Sequence, residues 1–209
     1  MVGDRDWFDD MLRTCPVMAI LRGYGTERTL ELAHRAWDLG ITLVEIPIQN
    51  DAAVKTLAAV AVAAAGRGGG AIVGAGTVLT PAQVIDARDA GAMFTVSPGF
   101  DPAVVAASHA AGMPSLPGVA TATDIQLALR HGLRWLKAFP ASTLGEGWFS
   151  AMKGPFPQVS FVATGGMAAG NAERFLDAGA AAVAVGSALE DPAQLDQLAA
   201  ILAARRTRR

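Results

Sequence analysis

Short apolar runs alternate with helical patterns along almost the whole chain. The runs begin roughly 20–30 residues apart, which is the length of one strand, one helix and two short loops. They are apolar throughout instead of alternating with polar residues, as is typical of a parallel sheet covered by helices. Eight runs predict strands: Val17–Leu21, Thr42–Ile46, Ala71–Gly74, Met93–Val96, Ser115–Leu116, Trp135–Phe139, Ser160–Ala163 and Ala182–Val185.

The segments between these runs carry residues that begin and end helices. Proline follows a capping side chain at Thr80-Pro81, Asp101-Pro102 and Asp191-Pro192, which places the proline at the first helical position. Glycines such as Gly91 and Gly112 supply the left-handed residue that often ends a helix. Other helices are predicted to start at Thr26, at Asn50 or Asp51, at Thr121 or Thr123, and at Ala169.

These repeated strand–helix units predict an α/β fold, a (β/α)8 TIM barrel, with an extra N-terminal helix at Asp4–Thr14. No linker and no shift in composition divides the chain, so we expect one barrel domain over residues 1–209. The glycine-rich segment Gly66–Gly70 is predicted to be a flexible loop within that domain.

Composition and charge narrow the possible functions. Hydrophobic residues make up 52% of the chain and charged residues 17%, which is enough apolar content for a large core. A formal net charge of −2 argues against a general nucleic-acid or anionic-membrane binder. The one cysteine, Cys15, excludes an internal disulfide, suits a reducing cytoplasm and is too few for a cysteine zinc site.

No segment predicts membrane targeting. The first ten residues carry four aspartates and no apolar stretch of secretory length. The run Ala58–Ala65 is shorter than the ~18–20 residues that a membrane span needs. The basic tail Arg205–Arg209 is predicted to be a helix end whose cations suit the helix dipole, with nucleic-acid binding as the alternative. We therefore expect a cytoplasmic protein.

In (β/α)8 barrels, the reacting groups lie on the loops that follow the C-terminal ends of the strands. In this chain, glycine pairs, isolated charges and hydroxyl side chains gather at those positions, which core packing does not explain. The sequence therefore predicts an active site at this rim. The strand ends are Leu21-Arg22-Gly23, Glu45-Ile46-Pro47, Gly74-Ala75-Gly76-Thr77, Ser97-Pro98-Gly99, Pro117-Gly118, Lys137-Ala138-Phe139-Pro140, Thr164-Gly165-Gly166 and Gly186-Ser187.

Of the three lysines in the chain, only Lys137 lies inside an apolar run. Burial disfavours the charged form of an amine, and a neutral amine is a nucleophile that can form a Schiff base with a ketone. The alternative is a lysine whose stem follows the strand while its ammonium group reaches water. The position of Lys137 on the chemically rich rim favours the reactive interpretation.

Glu45 and two glycine-containing loops complete the predicted site. Glu45 closes the second apolar run, where a buried carboxyl group suits a general acid/base; the alternative is a structural ion pair with Arg22 across the barrel mouth. Gly165-Gly166 and Gly186-Ser187 follow the last two strands, where such barrels commonly hold a phosphate group. Together they predict a phosphorylated substrate whose far end reaches Lys137.

A metal or a nucleotide cofactor is not expected. The three histidines, His34, His109 and His131, lie on predicted helices and have no carboxylate or histidine partner at ligand spacing. The sequence also has no dinucleotide-binding glycine motif after a strand, no phosphate-binding loop with Gly-Lys-Ser/Thr and no serine elbow.

The strand-end segments resemble those of the class I 2-keto-3-deoxy-6-phosphogluconate and 2-keto-3-deoxy-6-phosphogalactonate aldolases. The likeness extends from Pro16 to Leu189. It implies a homotrimeric (β/α)8 barrel that splits the sugar acid into pyruvate and D-glyceraldehyde 3-phosphate without a metal. The matching strings are Glu45-Ile46-Pro47-Ile48, Gly74-Ala75-Gly76-Thr77-Val78-Leu79, Ser97-Pro98-Gly99, Pro117-Gly118, Leu136-Lys137-Ala138-Phe139-Pro140, Thr164-Gly165-Gly166 and Gly186-Ser187.

The resemblance also implies a role for each site residue. Lys137 would form the Schiff base and Glu45 would be the general acid/base. Thr77 would hold the pyruvyl carboxylate, and Arg22 would bind substrate after the first strand. The remaining substrate contacts would come from Gln49, Pro98, Thr164, Gly165, Gly166, Gly186 and Ser187, with the two glycine pairs forming the phosphate cradle.

The resemblance leaves the C4 epimer of the substrate open. Gluconate-type enzymes typically have Glu-Val-Thr-Leu-Arg on the second strand, whereas this chain has Glu45–Gln49, so that Gln49 replaces their carboxylate-binding arginine. Glu-Ile-Pro and the string Ala120–Asp124 look like the galactonate type, but Thr164 resembles the gluconate type, where the galactonate type tends to have valine. We expect the galactonate substrate, with gluconate or dual activity as the alternative.

Two further classes compete with an aldolase. A phosphate-binding barrel isomerase or epimerase would use the rim carboxylate and the glycine pairs but would not need a buried lysine. A catalytically silent barrel would bind a sugar phosphate as a sensor.

Overall fold

The computed structural model describes residues 4–68 and 70–207. In this part of the chain, nine strands form a single sheet: β1 Val17–Ile20, β2 Leu43–Pro47, β3 Ile72–Gly76, β4 Thr95–Val96, β5 Ser115–Leu116, β6 Gly118–Val119, β7 Trp135–Ala138, β8 Ser160–Thr164 and β9 Ala182–Val185. The helices are α1 Asp4–Thr14, α2 Thr26–Asp38, α3 Asp51–Arg67, α4 Pro81–Asp89, α5 Pro102–Ala110, α6 Ala122–Arg130, α7 Ala141–Leu144, α8 Glu146–Lys153, α9 Ala169–Asp177 and α10 Pro192–Thr207, with a 3-10 turn at Ser187–Leu189.

All neighbouring strands run parallel, in the order β5-β4-β3-β2-β1-β9-β8-β7-β6. The segments β5 and β6 are two halves of one barrel strand that is interrupted at Pro117, whose missing N–H cannot join a ladder. The first half pairs with β4 and the second pairs with β7 through Gly118 and Lys137, so the sheet closes. The predicted (β/α)8 barrel with its N-terminal helix is confirmed.

Alternation along the strands sorts side chains into two cores. Residues that point outward pack against the helices, whereas inward-pointing residues fill the barrel, because successive side chains of a strand lie on opposite faces. On β2, Leu43 belongs to the interior cluster and Val44 to the outer one; on β7, Trp135 is interior and Leu136 is outer. The same alternation turns Glu45 and Lys137 toward the barrel axis, one layer above Leu43 and Trp135.

Helix α1 closes the end of the barrel at which the strands begin. Phe8 is fully buried, and its ring centroid lies 6.2 Å from those of both Phe94 and Trp135. Trp7 packs 5.5 Å from Phe94, and the indole N–H of Trp135 donates a 2.9 Å hydrogen bond to Asp9. These aromatic side chains fill one end of the barrel, so the opposite rim, where the strands end, is its open mouth.

The predicted helix starts are confirmed at the residues that carry caps. The side chains of Asn50, Thr80, Asp101 and Thr121 accept hydrogen bonds from the first turns of α3, α4, α5 and α6. Strand ends differ from the predicted ones by up to two residues, because apolar character continues into the flanking loops. No helix among the described residues has the length and hydropathy to cross a bilayer.

Three parts of the chain were not anticipated or lie outside the description. Two helices, α7 and α8, follow β7, where the sequence predicts no helix start. The predicted Gly66–Gly70 loop begins later than expected, because α3 continues through Arg67, and residue 69 is not among the described residues. The same holds for residues 208–209 and the side chains of 205–207, so the prediction for the basic tail Arg205–Arg209 falls largely outside the structure.

Candidate active site

Lys137 and Glu45 meet inside the barrel mouth. Lys137 Nζ lies 3.9 Å from Glu45 Oε1, and the two residues are 2% and 0% exposed. They come from β7 and β2, on different sides of the barrel, and alternation turns both inward. The alternative in which the lysine head reaches water is therefore wrong, since the amine ends beside a carboxylate and not in solvent.

The carboxyl group of Glu45 has little else to interact with. Neither of its oxygens accepts a hydrogen bond from any described residue, and both are shielded from solvent. Arg22, the alternative structural partner, is exposed and makes no ion pair within residues 4–68 and 70–207. A buried carboxyl group with spare acceptor capacity next to a single amine suits proton transfer to a ligand more than a purely structural pairing.

Two glycines of β3 make room for Glu45 and for the barrel interior. A Cβ on Gly76 would overlap the carboxyl group of Glu45, and a Cβ on Gly74 would lie 2.5 Å from the ring of Phe94. Glu45 and Gly74 are register partners in the β2–β3 pair, so the carboxyl group leans one step along β3 toward Gly76. Only glycine at residue 76 fits beside this carboxyl group.

Phe139 links the lysine to the glycine pair. It lies two residues after Lys137, and Lys137 Nζ sits 5.1 Å from the centroid of its ring. The same ring packs on Gly165, where an added Cβ would lie 3.1 Å from the ring edge. An aromatic face next to a nitrogen favours positive charge on that nitrogen, which is the charge of a protonated imine.

Thr77 follows β3 in an unusual backbone conformation. Its φ is +55°, and it is the one non-glycine residue with positive φ among the described residues. For a β-branched residue this conformation is strained and marks a position that its surroundings hold in place. Thr77 adjoins Gly76, so its peptide group lies next to the Glu45 carboxyl group.

The Gly165-Gly166 pair is held in a turn between β8 and α9. Both residues have positive φ, 94° and 72°, which favours glycine. The carbonyl of Gly165 accepts a 3.0 Å hydrogen bond from the N–H of Ser142, and that of Gly166 accepts a 2.9 Å bond from the Asn171 amide. These bonds fix the direction of both peptide groups, as an anion cradle built from backbone N–H groups requires.

The other predicted site residues lie on the same rim, at varying depth. Thr164 ends β8 and is 2% exposed, with its hydroxyl 3.4 Å from the carbonyl of Val162. The backbone of Pro98 packs against Gly118, the register partner of Lys137, so tightly that a Cβ on Gly118 would overlap it. Arg22, Gln49 and Ser187 are exposed, and Gly186 packs near the carbonyl end of β1.

Among the described residues, no group of three or more His, Cys, Asp or Glu side chains could hold a metal ion. A buried amine and a buried carboxyl group meet in the mouth, and a strained threonine and two glycine-containing loops follow the ends of other strands. An amine and an acid at this spacing can form and protonate an imine.

Three contacts of this site were missed by the sequence reasoning. Phe139 belongs to one of the matching strings, but the sequence assigns it no role. Its i, i+2 spacing from Lys137 nevertheless places both side chains on the same face of the chain. Gly76 shares a face with Gly74, a signal of close approach by another group. Ser97 is 4% exposed and donates a 2.8 Å hydrogen bond to the carbonyl of Val78, which no local pattern signals.

Comparison with known proteins shows the family to which the chain belongs. A family model described as "Aldolase: KDPG and KHG aldolase" matches residues 8–203. The chain is 38% identical to the 2-dehydro-3-deoxy-phosphogluconate aldolase of Treponema pallidum over 80% of this chain and 77% of that protein. It is 35% identical to the 2-dehydro-3-deoxy-6-phosphogalactonate aldolase of Escherichia coli, covering 83% and 84% of the two chains.

A solved structure agrees with these relatives. The KDPG aldolase of Legionella pneumophila, crystallised with pyruvate captured at low pH as a covalent carbinolamine, gives a TM-score of 0.80 at 28% identity. The match covers 97% of this chain and 98% of that one. The chain therefore belongs to the KDPG and KHG aldolase family of carbon–carbon lyases.

Proposed function

We propose that this aldolase is a class I enzyme that cleaves 2-dehydro-3-deoxy-6-phospho-D-galactonate to pyruvate and D-glyceraldehyde 3-phosphate. The observation that carries the proposal is the buried pair of Lys137 Nζ and Glu45 Oε1, 3.9 Å apart in the barrel mouth. The covalent pyruvate adduct of the Legionella relative is the chemistry expected of such an amine. Residues 1–209 would act as one barrel domain in the cytoplasm.

The mechanism begins at Lys137. Its amine attacks the C2 ketone of the substrate, and the resulting carbinolamine takes up a proton from water and loses water to give a protonated imine. The imine withdraws electrons from C3 and takes the place of a metal as electron sink. The ring of Phe139, 5.1 Å from Nζ, lies where it stabilises the positive charge of this intermediate.

Glu45 moves the protons. Through a water molecule, it takes the proton of the C4 hydroxyl while the C3–C4 bond breaks, which releases the aldehyde and leaves an enamine on Lys137. The same carboxyl group then returns a proton to C3. Water adds to the imine that results, and its hydrolysis frees pyruvate and restores the amine. Glu45 is the only buried Asp or Glu among the described residues, which supports its use in both directions.

The remaining rim residues would hold the two ends of the substrate. Thr77 would bind the pyruvyl carboxylate, with Arg22, Gln49 and Pro98 as further substrate contacts. The phosphate would lie against the backbone of Gly165-Gly166 and Gly186-Ser187, beyond the ring of Phe139. The positive φ of both glycines in the first pair supports a turn that presents N–H groups.

Trapping the imine tests the proposal. Sodium borohydride in the presence of pyruvate is expected to reduce the adduct and to mark Lys137 by mass spectrometry of its peptides. Lys55 and Lys153 are both exposed and serve as internal controls that should stay unmodified. Lys137→Ala should lose the adduct and the cleavage activity. If wild-type protein gives no adduct on Lys137, the class I mechanism is refuted, and an isomerase, an epimerase or a silent sugar-phosphate sensor becomes the better account.

The gluconate epimer is the second candidate, and one residue favours it. Thr164 is 2% exposed and ends β8 next to the glycine pair, and we expect its hydroxyl to contact a C4 hydroxyl of one configuration. Cleavage of the two C4 epimers by the same preparation decides between galactonate, gluconate and dual specificity.

We also propose a homotrimer, as the resemblance to this aldolase family implies. Large apolar side chains exposed on this chain are candidates for contacts between copies. They are Val62, Leu79, Ile85, Met93 and Leu127. Sedimentation at micromolar protein concentration should give three times the mass of the chain, and a monomer would refute the assembly.

A further inference from the structure

The strained backbone of Thr77 needs a structural cause. A β-branched residue at φ +55° gives up free energy relative to an ordinary conformation, and it keeps that conformation only when neighbouring groups hold it. Thr77 itself adjoins the glycine that faces Glu45. The groups that hold the loop after β3 therefore control where the Thr77 side chain and peptide group lie.

The residue after Thr77 is held at both of its backbone polar groups. The N–H of Val78 donates a 3.1 Å hydrogen bond to the carbonyl of Val96. The carbonyl of Val78 accepts a 2.8 Å hydrogen bond from Ser97 Oγ. The first bond fixes the peptide plane that follows Thr77, and the second fixes the next plane, so the chain cannot rotate out of the left-handed conformation without breaking them.

Ser97 is well placed to act as this clamp. It is 4% exposed, and its own N–H donates a 3.2 Å hydrogen bond to the carbonyl of Leu116, so its backbone belongs to the closed sheet. Gln83 adds a second support from helix α4, because its side-chain oxygen accepts a 2.7 Å bond from the N–H of Leu79 and its amide donates to the carbonyl of Ile48 at 3.4 Å.

We propose that Ser97 is a positioning residue for the reaction: its hydroxyl holds the loop after β3 so that Thr77 presents its polar groups to the carboxylate of the keto-acid substrate. The inference rests on the proposed function and adds a residue that touches neither the ketone nor the amine. A serine with a merely structural role would affect stability and not the recognition of a carboxylate.

Ser108 provides a matched control for Ser97. It is also a buried serine with one short side-chain hydrogen bond, 2.8 Å from its Oγ to Thr95 Oγ1, but it lies on α5, among the residues that pack outside the barrel. Ser97→Ala and Ser108→Ala each delete one buried hydroxyl. A difference in substrate recognition between the two variants therefore reports the loop of Thr77.

The experiment compares two ketones by borohydride trapping: pyruvate, and methyl pyruvate, whose ester has no negative charge. For Ser97→Ala, the pyruvate concentration at half-maximal trapping should rise about three- to tenfold, the change expected when one hydrogen bond to the substrate is weakened but not lost. The limiting trapping rate and the methyl pyruvate curve should change less than about twofold. Ser108→Ala should match wild type with both ketones.

The possible outcomes distinguish the positioning role of Ser97 from the aldolase mechanism. Identical pyruvate curves for Ser97→Ala and Ser108→Ala, or an equal shift for both ketones, would overturn the positioning role while leaving the aldolase mechanism intact. Absence of any adduct in wild type would remove the proposed function and this role together. If Ser97→Ala does not fold, Gln83→Met tests the same loop from outside: it should raise the half-maximal concentration for pyruvate alone, and an unchanged pyruvate curve would overturn the inference.

Discussion

The carboxyl group of Glu45 occupies the space that a side chain at residue 76 would need. A Cβ built on Gly76 overlaps Oε1, Cδ and Cγ of Glu45, so a residue on β3 determines how an acid on β2 is aimed. The Glu45 carboxyl group points at Lys137 from this position, 3.9 Å from its Nζ. Glycine at residue 76 is therefore part of the geometry of the pair, although it has no functional group.

Gly76→Ala is expected to lower the rate of aldol cleavage at saturating substrate by at least about 100-fold, because the displaced carboxyl group loses its alignment for proton transfer. Steady-state kinetics measure the change, and far-ultraviolet circular dichroism checks the fold. Gly147→Ala is the matched control, since a Cβ at Gly147 meets no atom within 4 Å, and its activity should equal that of wild type. Full activity in Gly76→Ala would contradict the steric account.

Glu45→Gln keeps the size of the side chain and removes its acid–base function. Cleavage should slow by about 10²–10⁴-fold, the usual contribution of a positioned general acid/base, while borohydride trapping of pyruvate on Lys137 persists. Rapid-quench kinetics and peptide mass spectrometry give the two readouts. Glu146→Gln, which breaks the exposed 3.1 Å pair with Arg174, should leave both unchanged. Unimpaired cleavage in Glu45→Gln would assign the proton transfers to another group.

Thr77→Gly should make the protein more stable and weaken its binding of pyruvate. Glycine adopts positive φ without strain, so the free energy of unfolding should rise by about 1 kcal/mol, as measured by urea denaturation. The same variant should need more pyruvate for half-maximal trapping, because the hydroxyl is gone. Thr143→Gly, in helix α7, has no strain to release and should not gain stability. A loss of stability in Thr77→Gly would show that its conformation is not strained.

Tyr24 offers a direct pH measurement, because it is the only tyrosine in the chain. Partial burial and a 2.6 Å hydrogen bond from its hydroxyl to Glu190 raise the pKa of Tyr24 to about 12 from 10.0. A folded pKa above the unfolded value means that this stabilisation is complete below pH 10 and is lost as the pH rises through about 12.

The ultraviolet absorbance of the phenolate should therefore rise with a midpoint near 12 in folded protein and near 10 in urea. In Glu190→Gln the folded midpoint should fall toward 10, because the negative charge that opposes ionisation is removed. A folded midpoint of 10 would mean that the contact between the loops after β1 and β9 does not form in solution.

Thr164→Val should shift the choice between epimers. The proposed function has this hydroxyl contact the substrate, and its removal should change binding by about 1–3 kcal/mol, so the ratio of galactonate to gluconate cleavage should rise by about 5- to 150-fold. The ratio of kcat/KM values for the two epimers measures this directly. Thr95→Val, which alters a buried threonine bonded to Ser108 on the outer side of the barrel, should leave the ratio unchanged. An unaltered ratio in Thr164→Val would place epimer selection elsewhere.

Local features of the sequence were sufficient to predict the barrel. Capping side chains such as Thr80 and Thr121 mark helix starts through contacts within four residues, so a single sequence displays them. The break at Pro117 was harder to anticipate, because its meaning depends on two different partner strands, β4 and β7. The short helix α7 was missed for a related reason: it has only four residues and no side-chain cap.

The sequence was sufficient to predict the reactive residues of the site but not the residues that hold them in place. Lys137 and Glu45 stand out because charged residues are rare in apolar strands, whichever face they occupy. Which face that is could not be deduced, since the residues on both sides of these strands are apolar. Ser97 and Gly76 act through contacts with chain segments about 20 to 30 positions away, and no periodicity encodes such contacts.

The closure of one barrel end by α1 and its aromatic side chains has a kinetic consequence. Because α1 closes one end of the barrel, ligands enter and leave through the mouth at the other end. The ligand that binds first and deepest must therefore leave last. In the proposed mechanism, pyruvate stays bound to Lys137 deep in the barrel, and the phosphorylated fragment would lie between it and the mouth. Turnover should therefore follow a fixed sequence in both directions, with the aldehyde leaving before pyruvate in cleavage and pyruvate arriving before the aldehyde in synthesis.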